Sequence, residues 1–102
     1  MEARKIIITG GATRIGAAIA KKLSGPNIEI VIHFNKSKSK AEILKRELEK
    51  NGSKIYLVKG DLSKEVDVNK ILKFSKTKLK YFDCLVNNAS LFENDKLGKF
   101  YY

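Results

Sequence analysis

The chain has 102 residues, one cysteine, one histidine and a formal net charge of +10. That length supports one domain with one modest core; a lone Cys84 rules out an internal disulfide, and a single His33 offers no metal-ligand cluster. No apolar run is long enough to cross a bilayer and the amino terminus lacks a secretory layout, so a soluble cytoplasmic protein is expected.

The positive charge is nearly all lysine, scattered through the polar segments and often beside glutamate, as in EILKRELEKNG; the only arginines are Arg4, Arg14 and Arg46. There is no arginine-rich arm, and no aromatics interleave with basic side chains. A solvated lysine-biased surface is favoured over a nucleic-acid or other polyanion-binding face, which stays as the weaker alternative.

In chain order, RKIIIT at Arg4–Thr9 is a continuous apolar strand, the kind covered on both faces of a sheet. A helix follows from about Thr13 to Ser24. Ile15, Ile19 and Leu23 recur at i, i+4, i+8 as its inward stripe, and Ala17, Ala18 and Ala20 permit close packing. Ser24–Gly25–Pro26 ends it. IEIVIHF, Ile28–Phe34, is a β-branched second strand. A second helix from about Ser37 to Lys50 turns Ala41, Leu44 and Leu48 inward, pairs Glu42 with Arg46 outside, and stops at Asn51–Gly52. KIYLVKG is a third strand, followed by a helix with Val68, Ile71, Leu72 and Ser75 on one face and Ser63 as its N-cap. A fourth strand runs from Tyr81 to about Asn87, and SLFENDKLGKFYY reads as a loop and short helix. This alternation predicts a single α/β domain with a parallel sheet and right-handed crossovers.

The turn between the first strand and first helix is TGGATRIG. Gly10 and Gly11 can bring backbone amides close to a pyrophosphate, the helix beginning near Thr13 aims its positive end there, and Gly16 lets helix and strand approach. A tight turn with a packing glycine is the plainer alternative. An NAD site usually carries an acid at the end of the second strand for the ribose 2′-hydroxyl. Here that position falls in HFNKSKSK, where His33, Asn35, Lys36, Ser37 and Lys38 include no carboxylate. Arg14 and Lys36 would attract a 2′-phosphate and Ser37 could donate to it. Each charge-assisted contact is worth about 1.5–3 kcal/mol, which favours NADP(H). The lysines alone could belong to the general excess, but that does not account for the missing acid.

With these residues assembled, the chain resembles the short-chain dehydrogenase/reductase family along its whole length. Thr9, Gly10, Gly11, Thr13, Arg14, Ile15 and Gly16 fit that family's glycine turn, with Arg14 in place of the middle glycine. GDLS at Gly60–Ser63 resembles the segment whose aspartate recognises adenine, and DCLVNNAS resembles its Asn-Asn-Ala-Gly motif, with Ser90 for glycine. Arg14, HFNKS and NNAS followed by an aromatic are similar to the pteridine reductase branch, which includes dihydromonapterin-type reductases. The resemblance implies a truncated Rossmann-type doubly wound sheet of order 3-2-1-4. It further implies a 2′-phosphate held by Arg14, Lys36 and Ser37 with His33 near, adenine at Asp61 and Leu62, and ribose and phosphates at Asn87, Asn88, Ala89 and Ser90. A carbonyl or pterin-like substrate would lie against Ser90 and Phe92. Asp61 as a helix-start carboxylate, Asn88 as a sheet brace and Phe92 as core packing remain open beside these roles.

The family's proton donor is a tyrosine with a lysine four residues on. Here Tyr56 is followed at that spacing by Gly60 and Tyr81 by Leu85, and Tyr101 and Tyr102 lie too near the end. The expectation is the cofactor-binding front part of a reductase, inactive by itself; a non-catalytic NADP-binding module is the alternative. The fourth strand, at the sheet edge and apolar, is expected to invite self-association.

Overall fold

The computed structural model describes residues 3–88. Within them the chain alternates β1 (Arg4–Thr9), α1 (Arg14–Leu23), β2 (Ile28–Phe34), α2 (Lys38–Lys50), β3 (Lys54–Lys59), α3 (Glu65–Leu79) and β4 (Cys84–Asn87). The four strands form one parallel sheet of order β3-β2-β1-β4, the arrangement expected from the alternation and the resemblance.

Side chains on the strands point alternately to the two faces, and both faces are covered. Ile6, Ile8, Ile30, Ile32 and Ile55 pack with Ala20, Leu44 and Leu48 of α1 and α2. Ile7, Val31 and Val58 pack with Ile71 and Leu79 of α3. Burial on two sides is why β1 and β2 read as unbroken apolar runs rather than alternating ones. Fully burying an isoleucine contributes about 1.5–3 kcal/mol, and these central strands supply most of the largest fully buried side chains, Ile7, Ile8, Ile30, Val31 and Ile32.

The expected inward stripe of α1 is corrected. Gly16 and Ala20 are buried, Ala17 is half-buried against the core, and Ile19 is partly buried. Ile15 is 68% exposed and Leu23 37% exposed. The helix lies so close to β1 that only small residues fit beneath it, and size overrides the apolar repeat. The inward face of α2 is as expected: Ala41, Leu44 and Leu48 are all buried. Ser37 stands at its N-cap position without a side-chain capping bond. Glu42 and Arg46 do not pair; the ion pair among the described residues joins the two helices, Lys21 Nζ to Glu47 Oε1 at 3.3 Å.

Two further corrections concern the second half. Ser63 does not cap α3, whose N-cap position is Lys64. Both the N–H and the hydroxyl of Ser63 donate to Asp61 Oδ1, at 2.9 and 2.7 Å, so the serine is spent closing the turn before the helix. On α3, Ile71, Ser75 and Leu79 are buried and Val68 half-buried, but Leu72 is exposed. β4 begins at Cys84 rather than Tyr81. Lys80, at φ 72, turns the chain out of α3, and Asp83 closes onto Lys5 through both backbone and carboxylate, at 2.7 and 2.8 Å. Tyr81 meanwhile receives the Lys5 ammonium over its ring. No helix among the described residues is long and apolar enough to cross a membrane.

Candidate functional site

The carboxyl ends of β1, β2 and β3 converge on one cleft of about 340 Å³. Its floor is the turn leaving β1. Gly10 adopts φ 64, open to glycine at little cost. Thr13 caps α1: its hydroxyl donates to the Gly10 carbonyl at 2.8 Å and accepts the Gly16 N–H at 3.1 Å. Side chains are excluded from this turn. A Cβ on Gly16 would overlap the Gly10 carbonyl oxygen and lie 2.8 Å from both Gly11 Cα and Asn88 Nδ2; one on Gly11 would meet the buried Ile32 at 2.6 Å.

The cleft walls are Phe34, Asn35, Lys36 and Ser37 beyond β2, and Asp61 and Leu62 beyond β3, with Gly10, Ala12, Thr13 and His33 below. No carboxylate stands on the β2 side. Asp61 is held from behind, its N–H donating to Asp67 Oδ2 at 2.8 Å. Hydrogen bonds from the Ser63 hydroxyl and amide, with smaller help from Lys64 and Lys36, hold the Asp61 carboxyl below its ordinary range. Asp61 is therefore an anion at neutral pH.

Of the residues singled out from sequence, the cleft brings together Gly10, Thr13, His33, Asn35, Lys36, Ser37, Asp61 and Leu62. Arg14 lies around the corner, in a groove between α1 and α2 shared with Lys40 and Glu47. The side chain of Ile15 is on the outer surface of α1, in a shallow depression of about 730 Å³ with Ala18, Ile19, Lys22 and Leu23. Asn87 and Asn88 brace the β1 turn. Thr9 Oγ1 donates to Asn87 Oδ1 and accepts the Asn88 N–H, both at 3.0 Å, while Asn88 Nδ2 reaches the Gly10 carbonyl and Thr13 Oγ1 at 3.0 and 3.1 Å. Ala89, Ser90 and Phe92 lie outside the described residues.

His33 is 2% exposed, its ring bonded to backbone on both sides. Burial, opposed by the Gly60 carbonyl and the Asp61 charge, pushes its pKa below the ordinary 6.5, so the ring is neutral at physiological pH. Sequence reasoning missed Ala12 and Phe34 as cleft wall and Asp67 as the support of Asp61. The available signal for Asp67 was a carboxylate in the first turn of α3.

The sequence matches the short chain dehydrogenase family profile over residues 4–101. An uncharacterized oxidoreductase of Methylorubrum extorquens is 29% identical over 93 residues, which cover 91% of this chain and 38% of that protein. The crystal structure of a short-chain dehydrogenase from Oenococcus oeni superimposes with TM-score 0.78 at 29% identity, over 96% of this chain and 50% of that one. FolM Alternative dihydrofolate reductase 1 from Brucella canis, crystallised in complex with NADP, gives TM-score 0.76 at 34% identity, over 87% of this chain and 36% of its own. The chain thus spans half or less of the length of these proteins.

Proposed function

Because the chain belongs to the short-chain dehydrogenase family, we propose that it is the NADP(H)-binding part of an oxidoreductase that reduces a carbonyl or imine. One observation carries this reading: Lys36 and Ser37 line the cleft at the β2 tip, where a carboxylate would mark an NAD site. A carboxylate there would repel a 2′-phosphate, whereas an ammonium and a hydroxyl bind one. The NADP complex of the Brucella canis protein, 34% identical, supports the same assignment.

The residues present fit such a cofactor. Side-chain-free Gly11 and Gly16 let the turn pack directly on Ile32 and on the Gly10 carbonyl, and the amides of Arg14 and Ile15, first in α1, have no acceptor within the helix. These amides would receive the pyrophosphate, whereas the N–H groups of Gly10 and Gly11, expected from sequence to approach it, are taken by His33 and shape the turn instead. Lys36 and Ser37, with Arg14 reaching over from the start of α1, would hold the 2′-phosphate. Asp61 and Leu62 would take the adenine, and Asn87, Asn88, Ala89 and Ser90 the ribose and phosphates. Bound in reduced form, the cofactor supplies a hydride. The chain contains no Tyr-x-x-x-Lys, so in this reading it is one cofactor-binding unit of a longer reductase and does not turn over alone.

For the substrate, Arg14, HFNKS and the likeness to an alternative dihydrofolate reductase favour a pterin-like ring, met by Ser90 and Phe92. The sheet edge supports self-association of the isolated chain: Leu85 of β4 is 51% exposed, and Phe82 just before it 45%. Light scattering at high concentration tests this, and a strictly monomeric mass removes it.

Parallel calorimetric titration with NADP+ and NAD+ is the decisive experiment. NADP+ is expected to bind at least about tenfold tighter, the contribution of one charge-assisted contact, and Arg14→Ala to weaken NADP+ far more than NAD+. Equal affinities, or no binding of either, overturn the reading.

A further inference from the structure

His33 lies beneath the cleft, between the two turns that frame it. Gly10 N–H donates to Nδ1 at 3.0 Å, and Nε2 stands 2.7 Å from the Gly60 carbonyl oxygen. A backbone N–H can only donate, so Nδ1 holds a lone pair; Nε2 then carries the hydrogen and gives it to Gly60. The carbonyl oxygen of His33 accepts the Gly11 N–H at 3.0 Å. One residue thus ties both glycines of the β1 turn to the tip of β3.

We propose that His33 is the positioning residue of the phosphate-binding turn, and that uptake of one proton by its ring displaces Gly10 and weakens NADP(H) binding. The proposal rests on the NADP(H) reading of the cleft. Protonated, Nδ1 would direct an N–H at the N–H of Gly10. Two buried donors facing each other cannot both be satisfied, so the turn must move or the ring must leave.

Among the described residues the charges around the ring are few. On the β1 side, the residues lining the cleft (Gly10, Ala12 and Thr13) are uncharged. From the β3 side Asp61 faces it and favours the cation, and Asp67 of α3 stands behind Asp61. Lys36, beyond β2, lines the same cleft and helps keep Asp61 ionised. Burial outweighs these influences, so protonation is delayed to below pH 6.5. Binding is therefore intact above that value and falls below it.

Two measurements test this. In the isotopically labelled chain without ligand, NMR from about pH 8 to pH 5 should show the Nε2–H tautomer, with the Gly10 amide signal moving at the midpoint of the ring. In parallel, NADP+ is titrated into wild type and His33→Asn, whose Oδ1 can accept from Gly10 but does not titrate. Wild-type affinity should fall about tenfold more than that of His33→Asn between pH 7.5 and 5.5, the scale of one buried hydrogen bond. The residual slope of the variant reports the phosphate's own protonation. A Gly10 amide indifferent to the ring overturns the proposal, as do identical pH slopes for the two proteins. Should Gly10 follow the ring while NADP+ binds at no pH, the cofactor reading falls and the coupling of ring to turn stands. The NMR arm decides by itself if His33→Asn does not fold.

Discussion

The side-chain amide of Asn88 donates to the carbonyl oxygen of Gly10 at 3.0 Å, joining residues 78 positions apart in the chain. The same nitrogen reaches Thr13 Oγ1 at 3.1 Å, so the end of β4 is bonded to the turn and to the helix cap together. Asn88→Ala removes both bonds, although the Gly10 carbonyl keeps the Thr13 hydroxyl. A loss of about 1–2 kcal/mol is expected, read as a lower urea midpoint with an unchanged slope. A midpoint equal to wild type would mean that Asn88 braces nothing.

Gly16→Ala and Gly60→Ala separate two kinds of close contact. At Gly16 the added methyl overlaps fixed backbone, whereas at Gly60 it meets the flexible end of Ile71 at 2.7 Å. Gly16→Ala should cost more than about 3 kcal/mol or prevent folding, and Gly60→Ala about 1–2 kcal/mol. Thermal unfolding of the pair checks the order; the reverse order contradicts the packing described for α1.

Stability should fall with acid in two steps. His33 has a folded pKa below 6.5, so its stabilising share is complete above pH 6.5 and lost as pH falls through the folded value. Asp61, lowered from 3.8, keeps its share above pH 3.8 and loses it as pH falls through its own folded value. Urea midpoints from pH 8 to 3 in wild type and His33→Asn test this. The first step should vanish in the variant, and the second, on a group less buried than His33, should be the smaller.

Lys80 occupies φ 72, ψ −43, a region costly for any residue with a side chain. Its carbonyl–amide geometry is fixed by the N–H bond to Lys76 O at 2.9 Å, so the strain cannot relax without opening the end of α3. Lys80→Gly is expected to stabilise by about 1 kcal/mol after the entropic loss, a rise of about 4–8 °C in Tm. A fall in Tm contradicts it.

Lys36→Glu places a carboxylate where the cleft has none. It should weaken NADP+ by at least about tenfold and leave NAD+ unchanged or tighter, as measured by calorimetry. Equal loss for both cofactors would separate Lys36 from the 2′-phosphate.

The element order and sheet topology were legible because β1 and β2 are buried on two sides and carry uninterrupted Ile and Val, while the helices that follow them end at Ser24–Gly25 and Asn51–Gly52. The inward face of α1 was not legible: periodicity favoured Ile15 and Leu23, but clearance from β1 selects Gly16 and Ala20, and clearance is not written in hydropathy. Ser63 and Tyr81 were misread for a related reason. Each sits where a local pattern fits, yet Asp61 captures the serine and Asp83 closes the chain onto Lys5 before β4 can begin. Most of the cleft could be read from Lys36, Ser37 and Asp61. The double bonding of His33 could not, since it depends on two backbone groups 23 and 27 residues away.

At the opposite end of the sheet, Ser53 Oγ accepts the Gly25 N–H at 2.7 Å and donates to the Gly25 carbonyl at 3.0 Å, while Asn51 Nδ2 reaches Ser24 Oγ. This hydroxyl rivets the loops entering β2 and β3 to each other, so the base of the molecule behaves as a plinth. Any accommodation of an arriving guest must then be made by the opposite rim alone.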